Sequence, residues 1–155
     1  MLMHEDGLTV LTDFDALTEP LPAFLAYWER KRAGRLMPAP SDIVPAEIPR
    51  LLPYLTIADV TYEPLDFRYR LVGTRLVDMA GADRTGVSLR EGHSGRHLEE
   101  RLEALRTALQ SPAPLALAGR FDWLGRSYRR FECIQLPLSE DGERVSRIVA
   151  AYAFP

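Results

Sequence analysis

The chain reads as an α+β domain: a five-stranded antiparallel sheet with helices covering one face and an amphipathic helix near the N-terminus. Three observations lead there. Phe67, Tyr69 and Leu71 alternate with Arg68, Arg70 and Val72, the period of a half-buried strand. Leu98, Leu102, Leu105 and Leu109 recur at spacings of four, three and four, which is one face of a helix over 95–110. Asp141-Gly142 falls between two apolar runs, among the strongest hairpin signals in a sequence.

Residues 1–19 read as a flexible acidic lead-in. Pro20 and Pro22 suit the first turn of a helix, where a missing amide proton costs little. Leu21, Phe24, Leu25 and Trp28 form one stripe at helical spacing, and Gly34 is a plausible terminator. Residues 35–49 are rich in proline and predict a loop with a helical turn near Pro45. Ile48, Leu51, Leu52 and Leu55 supply core contacts. A strand over 56–62, a turn at Glu63-Pro64 and the strand around Arg70 form a hairpin that Gly73 ends. A short helical run over 74–80 leads to a loop bounded by Gly81 and Gly86, positions suited to positive φ. The long helix over 95–110 takes Ser94 as N-cap, and Pro112 and Pro114 stop it. Three closing strands follow, over 115–121, 127–136 and 144–154, with turns at 122–125 and 141–142. The whole of 20–155 is expected to be one domain.

A two-residue loop at Asp141-Gly142 sets Cys133 opposite Ala150 and Phe131 opposite Tyr152. One face then collects Phe131, Cys133, Gln135, Ile148, Ala150 and Tyr152. The other collects Glu132, Ile134, Leu136, Val145, Arg147 and Val149. The first face is assigned to the interior, beneath the leucine stripe, joined by Phe67, Tyr69, Leu71 and Met79. The second face is too apolar to lie bare to water. The stripe of Leu21, Phe24, Leu25 and Trp28 is its obvious cover, either folding back on its own sheet or reaching a second subunit. A homodimer is the favoured expectation, with that stripe and Ile134, Leu136 and Val149 in the contact.

Composition narrows the function classes. The chain has 155 residues, 46% hydrophobic and 26% charged, enough for one domain with a core. No apolar run approaches the ~20 residues of a membrane-spanning helix, and residues 1–10 lack a signal-peptide layout, so a cytoplasmic protein without membrane association is expected. The net charge is −3 and the arginines are scattered, which argues against nucleic-acid binding. Cys133 is the only cysteine, excluding an internal disulfide and a Cys-x-x-Cys zinc site.

Candidate chemistry is sparse. His93 and His97 are four apart, but His93 precedes the helix and no third ligand accompanies them, so surface or capping roles are expected and no metal. Cys133 reads as a small buried hydrophobe. The segment 81–86 lacks the Lys-Ser or Lys-Thr pair of a phosphate loop. Nothing brings Asp59 and Asp78 together as paired carboxylates. Arg70 points to the outer face by alternation. A bridge to Glu47 or Glu132 is its first reading, and ligand binding is its second.

Tyr69-Arg70-Leu71-Val72-Gly73-Thr74 matches a Tyr-Arg-Leu-x-Gly-Thr pattern. With Thr85-Gly86, the Pro45–Ile48 run, Tyr27-Trp28 and Pro137-Leu-Ser, it resembles the PAS domain superfamily. More narrowly it resembles short stand-alone PAS-like proteins of alphaproteobacteria. The resemblance covers about 21–154 and implies a ligand cavity between sheet and helices. The expected lining is Phe67, Tyr69, Leu71, Met79, Leu102, Leu105, Phe131, Cys133, Ile148 and Ala150. Haem held by His97 and flavin attached to a cysteine are properties of some relatives; the cysteine motif is missing here, and no cofactor is expected. The implied function is a non-enzymatic sensory or regulatory module, binding an apolar or amphipathic small molecule and signalling to a protein partner of unknown identity. A ligand-free interaction module is the alternative, and a small isomerase- or dehydratase-like enzyme comes third.

Overall fold

A computed structural model describes residues 9–121 and 129–155. The turn expected at 122–125 and residues 1–8 of the lead-in lie outside the described residues. Six strands form one sheet: β1 (Thr9–Leu11), β2 (Leu55–Thr61), β3 (Asp66–Val72), β4 (Leu115–Phe121), β5 (Arg129–Leu138) and β6 (Arg147–Ala153). Their spatial order is β1-β4-β5-β6-β2-β3, with each neighbouring pair antiparallel.

The sixth strand, β1, is added to the expected five by part of the 1–19 lead-in, whose apolar residues had somewhere to dock. Val10 of β1 pairs with Leu117 of β4, Leu17 is buried, and the amide of Thr18 donates to Glu132 Oε1 at 2.6 Å. The apolar Leu8, Val10, Leu11 and Phe14 are too few to announce a strand, and β1 exists because β4 otherwise presents an open edge.

The β5–β6 register is also corrected. Cys133 faces Tyr152 and Gln135 faces Ala150, two residues away from the register of a tight Asp-Gly turn. The connection is instead the eight-residue loop 139–146, closed by side chains. Ser139 Oγ accepts from the amide of Gly142 at 2.9 Å and donates to the Arg144 carbonyl at 2.6 Å. Asp141 Oδ1 accepts from the amides of Glu143 and Arg144 at 2.9 and 2.8 Å. A shift of two preserves the side-chain faces. Val145 changes place: it sits in the loop, buried, rather than on the outer face.

The outer face is covered by α1 (Leu21–Arg32), which ends on two left-handed residues, Ala33 and Gly34. Leu21, Phe24 and Trp28 are buried and Leu25 is partly so, above Ile134, Leu136 and Val149, which are fully enclosed. Each such large side chain contributes about 1.5–3 kcal/mol on burial. Trp28 Nε1 donates to the Pro137 carbonyl at 2.9 Å, in a buried setting. Of the two covers open to the outer face, α1 folding back on its own sheet is the one observed, so the residues expected in a dimer contact are enclosed within one chain. Pro137 is tolerated in an interior strand because β4 pairs no further along β5 than Gln135.

On the inner face, α2 (Thr74–Ala80) and α3 (Leu89–Gly92) lead from β3 to α4 (Gly95–Gln110), the roof. Gly73 joins β3 to α2 where a Cβ would fall on the Pro53 carbonyl, which explains the glycine of the Tyr-Arg-Leu-x-Gly-Thr pattern. Ser94 takes the N-cap position of α4 without a side-chain cap bond. Among the described residues no helix is long and apolar enough to cross a membrane.

Candidate functional site: an apolar cavity beneath the long helix

Between α4 and the inner sheet face lies a cavity of about 520 Å³. Helix α4 supplies Ala104, Leu105, Thr107, Ala108 and Leu109 from its C-terminal half. The following loop adds Ser111, Ala113 and Pro114. The sheet supplies Val10, Leu115, Leu117, Phe131, Cys133, Gln135, Pro137, Ile148 and Tyr152, with Val145 from the β5–β6 loop. None of these side chains is charged.

The void arises from residue size. Leu102 fills the space under the middle of α4, whereas the short side chain of Ala108, beyond Leu105, leaves it open toward the C-terminal end. Leu105, Phe131, Cys133 and Ile148 of the expected pocket line this cavity. Phe67, Tyr69, Leu102 and Ala150 are instead buried core, and Leu71 and Met79 pack at its margin. Phe67 and Tyr69 meet edge to face with ring centroids 4.9 Å apart, which closes the β3 side. The cavity is thus displaced from β3 and α2 toward β4 and β1. The signal in the sequence is the run of small residues Ala104, Ala108 and Ala113, of which Ala104 and Ala113 sit at the open rim. Gln135, on the inner face by alternation, joins the lining although it is not in the expected set.

Burial governs the titratable groups at the floor. It pushes the Cys133 thiol up to about 12 and raises the Tyr152 phenol well above its ordinary value. The two face each other across β5 and β6. A buried thiol held protonated is a poor nucleophile in the resting state. Tyr69, also fully buried, is raised for the same reason.

The other candidate residues lie elsewhere. His93 is half-buried at the end of α3. Burial, then the guanidiniums of Arg101 and Arg84, hold its imidazole down at about 4. His97 is exposed on the first turn of α4. Among the described residues no cluster of His, Cys, Asp or Glu is suited to a metal ion. Asp59 and Asp78 do not form a pair. Asp59 lies on the outer face between Arg70 at 3.0 Å and Arg147 at 2.8 Å, while Asp78 is on α2. Arg70 therefore bridges outward, but to Asp59 rather than to Glu47 or Glu132. Glu47 is held by Tyr27 and Lys31, both at 2.9 Å, and Glu132 by the amide of Thr18. A second hollow, about 620 Å³, lies at the β1–β4–β5 edge and is walled by Arg120, Arg130 and Glu132.

An antiparallel sheet with a long helix over one face and an apolar cavity between them, open toward Val10 and Ala113, defines an α+β domain with a small-molecule-sized site. The sequence profile of the PAS domain matches residues 17–153, and the chain belongs to that family. The chain is similar in fold to a chain in the solved "Structure of an RNA-binding Light-Oxygen-Voltage Receptor", with 16% sequence identity and a TM-score of 0.51. That match covers 96% of this chain and 38% of the receptor chain, so the present chain spans well under half the receptor chain's length. No curated protein matches the chain.

Proposed function

We propose that this PAS domain is a sensory or regulatory module that holds a small apolar or amphipathic molecule beneath α4 and signals through protein contacts. One observation carries the reading: a cavity of about 520 Å³ whose walls, among the described residues, carry no charge, in an otherwise close-packed domain. That volume lies in the range of about 300–1,000 Å³ usual for small-molecule sites. Apolar walls left without protein neighbours forgo dispersion contacts that a ligand restores. Occupancy then stabilises one seating of α4 over another, a population shift that changes the helix surface offered to a partner.

The ligand-free interaction module receives less support, because the outer sheet face it would use is covered by α1. The chemistry is that of a binder: the cavity walls carry no His, Asp, Glu, Lys or Arg among the described residues, and its one thiol is held protonated. The setting is the cytoplasm, and the output partner is a signalling protein of unknown identity. A homodimer would seat α1 on a partner's sheet in place of its own, preserving the same contacts; light scattering that finds only monomer rejects it.

Native mass spectrometry with an absorption spectrum of freshly purified protein tests the central reading. The expected result is a retained small molecule, or a metabolite from a panel that raises the melting temperature. Protein that retains nothing and responds to no compound overturns it.

A further inference from the structure

We infer that the cavity selects a neutral ligand carrying an amide-like hydrogen-bonding group, recognised by the Gln135 side chain at the centre of the sheet. This rests on the binding reading above and names the class of molecule bound. Gln135 is 7% exposed and lines the cavity from β5. Its cross-strand neighbours are Leu115 and Ala150, and its inward-pointing neighbours along β5 are Cys133 and Pro137. None of the four offers its carboxamide a strong hydrogen-bonding side chain. Its carboxamide bonds no other described residue, and its N and O atoms keep some accessible surface, which opens on the cavity. A buried amide ordinarily has partners, because leaving its donors and acceptor unmade is costly. Here the open space in front of it is the cavity.

A carboxamide presents a carbonyl acceptor beside an N–H donor, and its complement is another group with both. Primary amides, lactams and heterocycles with adjacent N–H and C=O meet that requirement. An ionised carboxylate does not, since it offers acceptors alone. It would also enter walls that, among the described residues, offer no cation to offset its lost hydration. The rest of the lining asks for an apolar body.

Isothermal titration calorimetry with three matched probes tests this: 4-butylbenzamide, 4-butylbenzoate and butylbenzene. The intact protein is expected to bind the amide roughly tenfold or more tightly than either of the others, about the worth of one buried hydrogen-bonded group. Gln135→Leu is expected to bind butylbenzene as before and to lose the preference for the amide. Gln135→Met, nearly equal in volume, serves as a second variant should the leucine disturb the sheet. If butylbenzene binds but the amide has no advantage, or both variants keep that advantage, the role of Gln135 is overturned while the binding reading stands. If none of the three binds the intact protein, both fall.

Discussion

Trp28 offers the sharpest test of how α1 closes the outer face. Its indole is 2% exposed and its N–H donates to the Pro137 carbonyl at 2.9 Å. Trp28→Phe keeps most of the ring packing and removes the donor, leaving a buried carbonyl unmatched. The expected loss is about 1–3 kcal/mol. Trp28→Ala also opens a large void, and a loss of about 3–5 kcal/mol is expected. Against a total stability of about 5–15 kcal/mol, the alanine variant removes roughly a fifth or more. Urea unfolding followed by far-ultraviolet circular dichroism suits the comparison, because Trp28 is one of only two tryptophans and its removal alters the fluorescence signal. The midpoint should fall while the slope stays constant. A phenylalanine variant within about 0.5 kcal/mol of the intact protein would refute the buried hydrogen bond, and an alanine variant equally unaffected would refute the docking of α1.

Three further outcomes follow from the same geometry. Gly73→Ala forces a methyl group onto the Pro53 backbone and within 2.6 Å of the Leu52 carbonyl oxygen; a loss of about 1–3 kcal/mol is expected in the same denaturation assay, and an unchanged midpoint would contradict the close approach. The His93 imidazole, held at about 4 against an unfolded value near 6.5, binds its proton more weakly in the folded chain. Its contribution is complete above about pH 6.5 and is lost as pH falls toward 4, so His93→Asn should flatten the stability profile over that window; an unaltered slope would count against it. Ala108→Leu fills empty space rather than occupied space, so the melting temperature should hold or rise while any retained small molecule is lost; a fall of several degrees would mean the space is already filled.

Much of the architecture was legible because period and composition act locally. The alternation over Phe67–Val72 and the leucine stripe over 98–109 each fix a buried face without knowledge of the rest. The turn between β5 and β6 was not legible from Asp-Gly alone. Ser139 and Asp141 capture backbone groups across 139–146, and such a side-chain-built loop competes with the two-residue turn the dipeptide favours. The partner of Arg70 lies on the neighbouring strand of its own hairpin, where β2 sets Asp59 opposite Arg68, and the bulge between Ile57 and Ala58 makes that register hard to count from sequence; β6 adds Arg147 on the other side of Asp59. The cavity itself is a property of what is missing. Ala108 looks unremarkable on a helix until the inner sheet face opposite it is known. The inward placement of Gln135 was available from alternation; its lack of a partner required its neighbours Leu115 and Ala150 to be identified.

The most direct test of the central claim is a two-dimensional amide NMR titration of the full chain with indole, a small neutral apolar probe. The account predicts saturable shifts confined to the C-terminal half of α4, the 111–114 loop and the inward-facing residues of β4, β5 and β6. Shifts scattered over α1 and the outer face, or no saturable shifts at all, would contradict it.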